Sequence, residues 1–254
     1  MNAIKSIAIW ICEVMLVLIW LPMLAVRRLF DRDPALYNTG RFFRKLGKAA
    51  SKVNPRWNVH IEGYEGIDDR HPYVMVCNHL SQADIPVISN LPWEMKWTAK
   101  KSLFDIPVLG WMLKIAGDIP IERSRSQSIG AFRQASRYLR KNCSVMFFPE
   151  GTRSRTGKLN RFARGAFELA IREQVPILPM AIDGTQGCLP KKSWKFGPRN
   201  DINLKILDPI STEGLSTDQV NELTEKVRSV ILTQLSEWRN KPVSQIDGML
   251  KRKK

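Results

Sequence analysis

The chain has few of the residues that build metal sites and disulfide frameworks. Its 254 residues include only three histidines and four cysteines, Cys12, Cys77, Cys143 and Cys188. The cysteines lie far apart, in neither metal-ligand spacing nor a disulfide pattern, so we expect a reducing compartment and no metal site. A Gly-x-Ser-x-Gly elbow, which carries the nucleophilic serine of α/β-hydrolases, is also missing.

Acidic residues are scarce beside basic ones. The 24 Asp and Glu residues are outnumbered by 40 Lys and Arg residues, which gives a net charge of +16. A charge of this size favours anionic partners, although most scattered lysines and arginines simply face water. Helix-turn-helix, zinc-finger and aromatic–basic RNA-binding signatures are missing, so nucleic acid is not the expected partner. An anionic membrane or an acidic protein fits better.

Long apolar runs are confined to residues 1–28. Residues 7–26 are apolar except for Glu13, and about twenty helical residues span roughly 30 Å, one hydrocarbon core. The Ile, Leu and Val side chains favour insertion by about 3 to 7 kcal/mol in total, against roughly 3 kcal/mol for the carboxylate. No small-x-small cleavage site follows, so a membrane-embedded anchor helix is favoured over a signal peptide.

Basic residues after the anchor predict its orientation. Arg27, Arg28 and Arg32 outweigh the single Lys5, which places the downstream residues on the cytoplasmic side of the cell membrane. Residues 38–53 then read as a basic amphipathic helix, which can lie in the headgroup plane of an anionic membrane or pack on a protein core. Its apolar stripe is Phe42, Phe43, Leu46, Ala50 and Val53, and its basic positions are Arg41, Arg44, Lys45, Lys48 and Lys52.

The rest of the chain alternates strand-like and helical segments. The pattern predicts strands at 73–77, 143–148, 175–182 and 202–206, and helices at 128–141, 163–174 and 216–240. This alternation predicts an α/β fold with a largely parallel central sheet flanked by helices. We expect one domain over residues 57–240, a turn-rich connection at 62–69 before the first strand, and a basic tail at 241–254.

One histidine has a setting that suits catalysis. Asn78 and His79 follow a strand-like run, and Ser81-Gln82-Ala83-Asp84 reads as a helix start with a capping box. Ligands of α/β folds bind at the carboxyl ends of strands, and Asp84 is near enough to bond the imidazole. Such a carboxylate fixes the tautomer and leaves the other ring nitrogen basic. Alternatively, Asp84 only caps its helix and His79 is an ordinary loop histidine.

A second polar patch, Glu150-Gly151-Thr152-Arg153, follows the predicted strand 143–148. Gly151 permits close backbone approach, and successive N–H groups can bind an anion. Arg153 adds a bidentate guanidinium fork that suits phosphate. A tight turn beside an ordinary surface arginine would explain the same residues. A base at one strand end and an anion-binding turn at another together predict an active site.

Four blocks in chain order connect these patches to a known family. They are Asn78–Asp84, Gly117–Ser124 with its basic Arg123, Phe148–Ser154 and Val175–Pro179. In residues and order they resemble the HxxxxD glycerolipid acyltransferases, most closely the 1-acyl-sn-glycerol-3-phosphate acyltransferases. In this sequence Lys100-Lys101 is followed by Ser102, where the family pattern often has an acidic residue.

The resemblance implies a chemistry and a set of partners. His79 would be the general base that deprotonates the free hydroxyl of a lysophospholipid for attack on an acyl thioester, and Asp84 would orient it. The donor would be acyl-CoA or acyl carrier protein, with no cofactor, and the product phosphatidate. The residues expected to bind or shape the acceptor site are Lys100, Arg123, Glu150, Gly151, Thr152 and Arg153, supported by Asn78 and Ser81.

Other functions agree with parts of the same pattern. The acceptor can be a different lysophospholipid or an aminoacyl lipid. A hydrolase would use His79 to activate water against a thioester. A lipid-binding membrane protein would keep the fold without catalysis. Ser81 is expected to cap its helix rather than to act as a nucleophile.

Overall fold

The computed structural model describes residues 3–122, 125–190 and 193–249. Its strands are β1 (Trp57–Glu62), β2 (Val74–Cys77), β3 (Met95–Lys100), β4 (Ile119–Ile121), β5 (Ser144–Phe147), β6 (Ile177–Asp183) and β7 (Asn200–Ile206). Its helices are α1 (Ala3–Phe30), α2 (Tyr37–Val53), α3 (Asp84–Ile88), α4 (Leu109–Ala116), α5 (Arg125–Leu139), α6 (Gly165–Glu173), α7 (Val220–Arg239) and α8 (Val243–Ile246). The chain divides into two compact units.

The first unit comprises the described residues of 1–55, 67–73 and 85–146. In it β3 lies between β4 and the start of β5, and both pairings are parallel. Helix α5 packs on β3 and β4, and α2 packs on β3. The apolar stripe of α2 contacts α1 and α4, where Leu24, Leu46 and Met112 are buried together. The apolar stripe of α2 therefore packs into the core of the first unit.

Helix α1 leaves most of its apolar side chains exposed. Only Ser6, Ile9 and Leu24 are buried along its 28 residues. Within the described ranges it is the one helix long and apolar enough to cross a membrane. An apolar helix with so little cover within its own unit is suited to a lipid environment.

Arg44 departs from the predicted basic face of α2. Its side chain is only 6% exposed, because it lies against the buried carboxylates of Glu94 and Asp118. The other four basic positions of the helix are exposed, and their spacing places them on one face. The pattern of charges therefore predicted the solvent face correctly and the location of Arg44 wrongly.

The second unit comprises the described residues of 56–66, 74–84 and 147–254. Its strands follow the order β1-β7-β6-β2. The pairs β1–β7 and β2–β6 are parallel, and β6–β7 is antiparallel. Helix α7 packs on β6 and buries Leu223, Val227 and Ile231, while α6 packs on β2. Because β2 and β6 are parallel, their carboxyl ends meet at one edge, where the candidate site lies.

The predicted α/β fold with a largely parallel sheet flanked by helices is confirmed. The expectation that residues 62–69 precede the first strand is wrong, because β1 ends at Glu62 and the turn-rich connection follows it. The sequence of β1 alternates apolar and polar residues, and its side chains alternate between half-buried and exposed, as in a strand with one covered face. Strands β3 and β4 were also not predicted. In β3 the obstacle was Lys96, which reads as a surface residue yet is fully buried.

Candidate active site

His79 is held at the carboxyl end of β2 by bonds on its side chain and on its backbone. Its Nδ1 lies 2.7 Å from Oδ2 of Asp84, and a carboxylate can only accept, so Nδ1 carries the proton. The ring of Phe148 stacks on the imidazole, with centroids 4.0 Å apart and planes 18° apart. No hydrogen bond reaches Nε2 from the described part of the chain, so this nitrogen remains free to accept a proton.

Asp84 is fully buried, and both of its oxygens accept hydrogen bonds. Beyond His79, Oδ2 accepts from the backbone N–H groups of Leu80 at 2.7 Å and Ser81 at 2.9 Å. The Thr185 hydroxyl donates to Oδ1. Four donors thus compensate a charge that is shielded from water, and they fix the carboxylate beside the imidazole.

Ser81 and Asp84 form half of the predicted capping box. The Asp84 carboxylate reaches back to the Ser81 N–H, as the pattern requires. The Ser81 hydroxyl, however, accepts from Ala83 N–H at 3.3 Å, and α3 begins only at Asp84. Ser81 therefore shapes the turn that presents His79, and among the described residues its hydroxyl contacts no base that would make it a nucleophile.

Glu150 holds the backbone of the histidine turn. Its Oε1 accepts from His79 N–H at 2.8 Å, and its Oε2 accepts from the N–H and the side-chain amide of Asn160 at 3.0 and 2.7 Å. Burial raises the pKa of Glu150, and these hydrogen bonds partly offset the shift. Ser154 N–H completes the arrangement by donating to the His79 carbonyl at 2.8 Å. The sequence grouped Glu150 with the residues that bind or shape the acceptor site, and in the structure both of its oxygens accept from protein donors.

Thr185 is the site residue that sequence reasoning missed. It lies 101 positions after Asp84, in the turn that follows β6, and it is completely buried. Gly184 just before it has φ of +84°, and a side chain there would collide with the Asp201 carbonyl. The only local signal was an Asp-Gly-Thr sequence at a strand end, which is also an ordinary turn sequence.

The turn after β5 contains the residues that the sequence predicts to bind an anion. Gly151 has φ of +68°, and open space surrounds the position where a Cβ would lie. Gly151 and Thr152 are exposed and Arg153 is partly exposed. Within the described ranges, Arg153 forms no ion pair, with Glu150 or with any other carboxylate. The guanidinium is therefore available to a ligand, unlike an arginine that holds its own loop.

The remaining predicted residues have different surroundings. Asn78 is buried and exchanges two hydrogen bonds of 2.8 Å with the backbone of Ile182, which ties the end of β2 to β6. Lys100 is an exposed residue at the end of β3, in the first unit. Arg123 lies outside the described residues. The structure thus brings together His79, Asp84, Glu150 and the Gly151–Arg153 loop within the second unit.

Comparisons with known proteins point to one family. An acyltransferase family model matches residues 58–183. The 1-acyl-sn-glycerol-3-phosphate acyltransferase of Saccharomyces cerevisiae is 36% identical over 185 residues, 71% of this chain and 60% of the yeast protein. The human 1-acyl-sn-glycerol-3-phosphate acyltransferase alpha is 35% identical over 182 residues, 70% of this chain and 64% of the human protein. The chain therefore spans about three fifths of the length of these curated relatives.

A solved structure extends the similarity over nearly the whole chain. It is the crystal structure of the 1-acyl-sn-glycerophosphate (LPA) acyltransferase PlsC from Thermotoga maritima, with a TM-score of 0.80 and 27% identity. The match covers 95% of this chain and 97% of the other. In sequence and in fold, the chain therefore belongs to the acyltransferase family, as the resemblance of its four blocks predicts.

Proposed function

We propose that this protein transfers an acyl group from a thioester to the free hydroxyl of 1-acyl-sn-glycerol-3-phosphate and so makes phosphatidate. The observation that carries the proposal is the His79–Asp84 pair, held at the edge of the sheet in the same unit as an anion-binding loop whose arginine has no described partner. The names of the relatives support the same reaction. Acyl transfer to water or to a neutral lipid would leave this loop without a purpose.

The proposed reaction needs one base and no covalent enzyme intermediate. Nε2 of His79 takes the proton of the acceptor hydroxyl while that oxygen attacks the thioester carbonyl carbon. The new C–O bond forms, the C–S bond breaks, and the proton passes from the imidazolium to the leaving thiolate. Asp84 stabilises the imidazolium and keeps Nδ1 protonated throughout. Such base catalysis contributes on the order of 10² to 10⁴ in rate.

The acceptor phosphate is assigned to the Gly151–Arg153 loop. The Arg153 guanidinium can form two parallel hydrogen bonds to phosphate oxygens, and exposed N–H groups of the loop can add to them. The family resemblance also implies acceptor-binding roles for Lys100, a residue of the first unit, and for Arg123. The donor is proposed to be acyl-CoA or acyl carrier protein.

The protein is proposed to work at an anionic membrane. The exposed apolar face of α1 and the exposed cations of α2 support membrane association. The excess of arginines after the apolar segment supports a catalytic part on the cytoplasmic side of the cell membrane.

An assay with and without acceptor tests the proposed function. The full chain in detergent micelles is given an acyl thioester, and both phosphatidate and free thiol are measured. We expect equal amounts of the two with lysophosphatidate, and little free thiol without it. We expect His79→Ala to abolish both while folding is kept, and the matched control His60→Ala, at an exposed position of β1, to be normal.

Three results would contradict the proposal. Thiol release without acceptor would identify a thioester hydrolase. Failure to turn over any lysophospholipid of a panel would identify a lipid-binding protein. Normal turnover by His79→Ala would remove the assigned base.

A further inference from the structure

The first unit contains a basic cavity of about 430 Å³ that the proposed reaction does not use. Four cations and two hydrogen-bonding side chains contribute to its lining: Arg28, Arg133, Arg137, Lys141, Gln134 and Tyr138. No acidic side chain occurs among the described residues that line it. Guanidinium groups beside an amide and a phenol in a concave surface are the donors that phosphate recognition requires.

Two of these cations, Arg28 and Arg133, are not explained by contacts within the described part of the protein. Arg133 and Arg137 lie four residues apart on α5, so two like charges are neighbours on one side of the helix. Lys141 follows shortly after the helix ends. No described carboxylate forms an ion pair with Arg28, Arg133 or Arg137, whereas Lys141 Nζ donates to the Pro34 carbonyl at 2.9 Å. The helix dipole favours cations in the last turn, which accounts for Arg137 but not for Arg133, further from that end.

The surroundings of the cavity select an amphiphilic ligand over a soluble one. Arg28 is contributed by α1, where it is flanked by Val26, Leu29 and Phe30, which are 55%, 80% and 77% exposed. A ligand with its phosphate in the cavity would therefore have apolar protein surface beside it. An acidic soluble partner would leave that surface facing water, which is unfavourable.

We propose that this cavity binds the phosphate of an anionic membrane phospholipid. The site is distinct from the acceptor loop, because it belongs to the first unit and contains no residue of the Gly151–Arg153 turn. It gives the protein a headgroup contact at the carboxyl end of its apolar helix. The protein would then favour anionic over zwitterionic membranes at a defined place, in addition to its general positive charge.

Calorimetric titration of the full chain in neutral-detergent micelles tests this site. The probes are dihexanoyl phosphatidylglycerol, dihexanoyl phosphatidylcholine and inorganic phosphate. We expect the phosphatidylglycerol to bind best and its affinity to fall with salt. Each basic residue near an anionic lipid strengthens binding about five-fold, so Arg133→Gln with Arg137→Gln should weaken it about thirty-fold.

Matched variants distinguish binding in this cavity from a general effect of net charge and from binding at the Gly151–Arg153 loop. Lys48→Gln with Lys52→Gln removes the same charge from the exposed face of α2 and should leave the affinity nearly unchanged. Arg153→Ala should also leave it unchanged, so a failure here differs from a failure of the proposed function. Arg133→Lys with Arg137→Lys keeps the charges and should recover most of the affinity, which guards against misfolding of the glutamine variant.

Several outcomes would overturn the proposal. Equal weakening by the two glutamine pairs would show a diffuse charge effect. Inorganic phosphate binding as tightly as the phosphatidylglycerol would show an anion site without lipid preference. Equal affinity for the two lipids would remove the headgroup assignment.

Discussion

At the scale of single residues, Thr185 completes the hydrogen bonding of the Asp84 carboxylate. Its hydroxyl is the one described donor to Oδ1 of Asp84, while three others serve Oδ2. An isosteric valine would keep the packing and leave a buried acceptor unsatisfied. The loss of such a bond costs about 1 to 3 kcal/mol.

We therefore expect Thr185→Val to lower stability by about 1 to 3 kcal/mol and to lower kcat more than it raises KM, because the carboxylate that orients His79 is loosened. Thr185→Ser should recover most of both, since it restores the hydroxyl. Urea unfolding and steady-state kinetics measure the two effects. A valine variant with normal kcat would show that Oδ1 needs no partner.

A second prediction at the scale of single residues concerns the effect of Arg153 on the use of lysophosphatidate. A charge-assisted bidentate contact contributes roughly 1.5 to 3 kcal/mol, so Arg153→Ala should lower kcat/KM for lysophosphatidate by about ten- to a hundred-fold and affect the donor much less. Arg153→Lys should recover only part, because an ammonium lacks the planar fork. Kinetics with each substrate varied in turn measure this. Equal losses for donor and acceptor, with a lower melting temperature, would indicate a structural arginine instead.

At the scale of helices and strands, a buried group of charges joins α2 to β3 and to the second sequence block. We call Arg44, Glu94, Lys96 and Asp118 the Arg44 network. Arg44 donates to Asp118 at 2.5 Å and to Glu94 at 3.4 Å, and Lys96 donates to Glu94 at 3.0 Å. Burial raises the pKa of Glu94, and Lys96 and Arg44 oppose that shift. The two positive and two negative charges of the Arg44 network cancel. Each buried charge is therefore stabilised by the opposite charges beside it.

Removal of one partner should therefore be costly. Arg44→Met should lower the free energy of unfolding by about 3 to 5 kcal/mol, because it leaves an uncompensated buried carboxylate. The matched Arg41→Met, at an exposed position of the same helix, should cost less than about 1 kcal/mol. Urea unfolding followed by tryptophan fluorescence measures both.

The deficit of Arg44→Met should also depend on pH. The pKa of Glu94 is already raised and should rise further without Arg44, so its folded-state value exceeds its unfolded one. Below the folded-state pKa, Glu94 of the folded variant takes up a proton, whereas Glu94 of the unfolded chain stays ionised until the pH is lower. The proton neutralises the buried charge and so stabilises the folded variant. The difference in free energy of unfolding between Arg44→Met and the parent protein should therefore become smaller as the pH falls. A deficit that widens in acid would contradict this account.

At the scale of the whole molecule, the proposed membrane association rests on the exposed apolar side chains of α1. Deletion of residues 1–28 is a poor test, because Trp20 and Leu24 contribute to the core shared with α2 and α4. Ile11 and Leu18 are 57% and 53% exposed and lie two turns apart on α1. Each apolar side chain buried in lipid contributes about 1.5 to 3 kcal/mol.

We therefore expect Ile11→Asn with Leu18→Asn to lose most binding to phosphatidylcholine vesicles after a high-salt wash, while the melting temperature stays normal. Ile129→Asn, at a 58% exposed position of α5, is the matched control and should bind normally. Co-sedimentation measures both. If the double variant remains bound, α1 is not the main anchor.

The sequence predicted those features that depend on neighbours in the chain. Strands β2 and β6 are buried apolar runs, and His79 and Asp84 are five positions apart, so both left a local pattern. The burial of Lys96 left none, because the carbonyls to which it donates, those of Leu36 and Ala116, come from separate segments. Thr185 was missed for the same reason, and the positioning role of Glu150 depends on Asn160, ten residues later. Residues whose role rests on distant partners cannot be read from spacing.

The four cysteines differ in accessibility, so a single one of them can be labelled in the native protein. Burial raises the pKa of the Cys77 thiol well above its usual value, and that of Cys143 and Cys188 to about 12, so all three are poor nucleophiles. Cys12 is exposed, in the middle of the apolar face of α1. A maleimide-linked spin label would therefore attach at one position of the native, unmutated chain. Its accessibility to oxygen and to an aqueous relaxation agent would measure how deeply α1 lies in a bilayer.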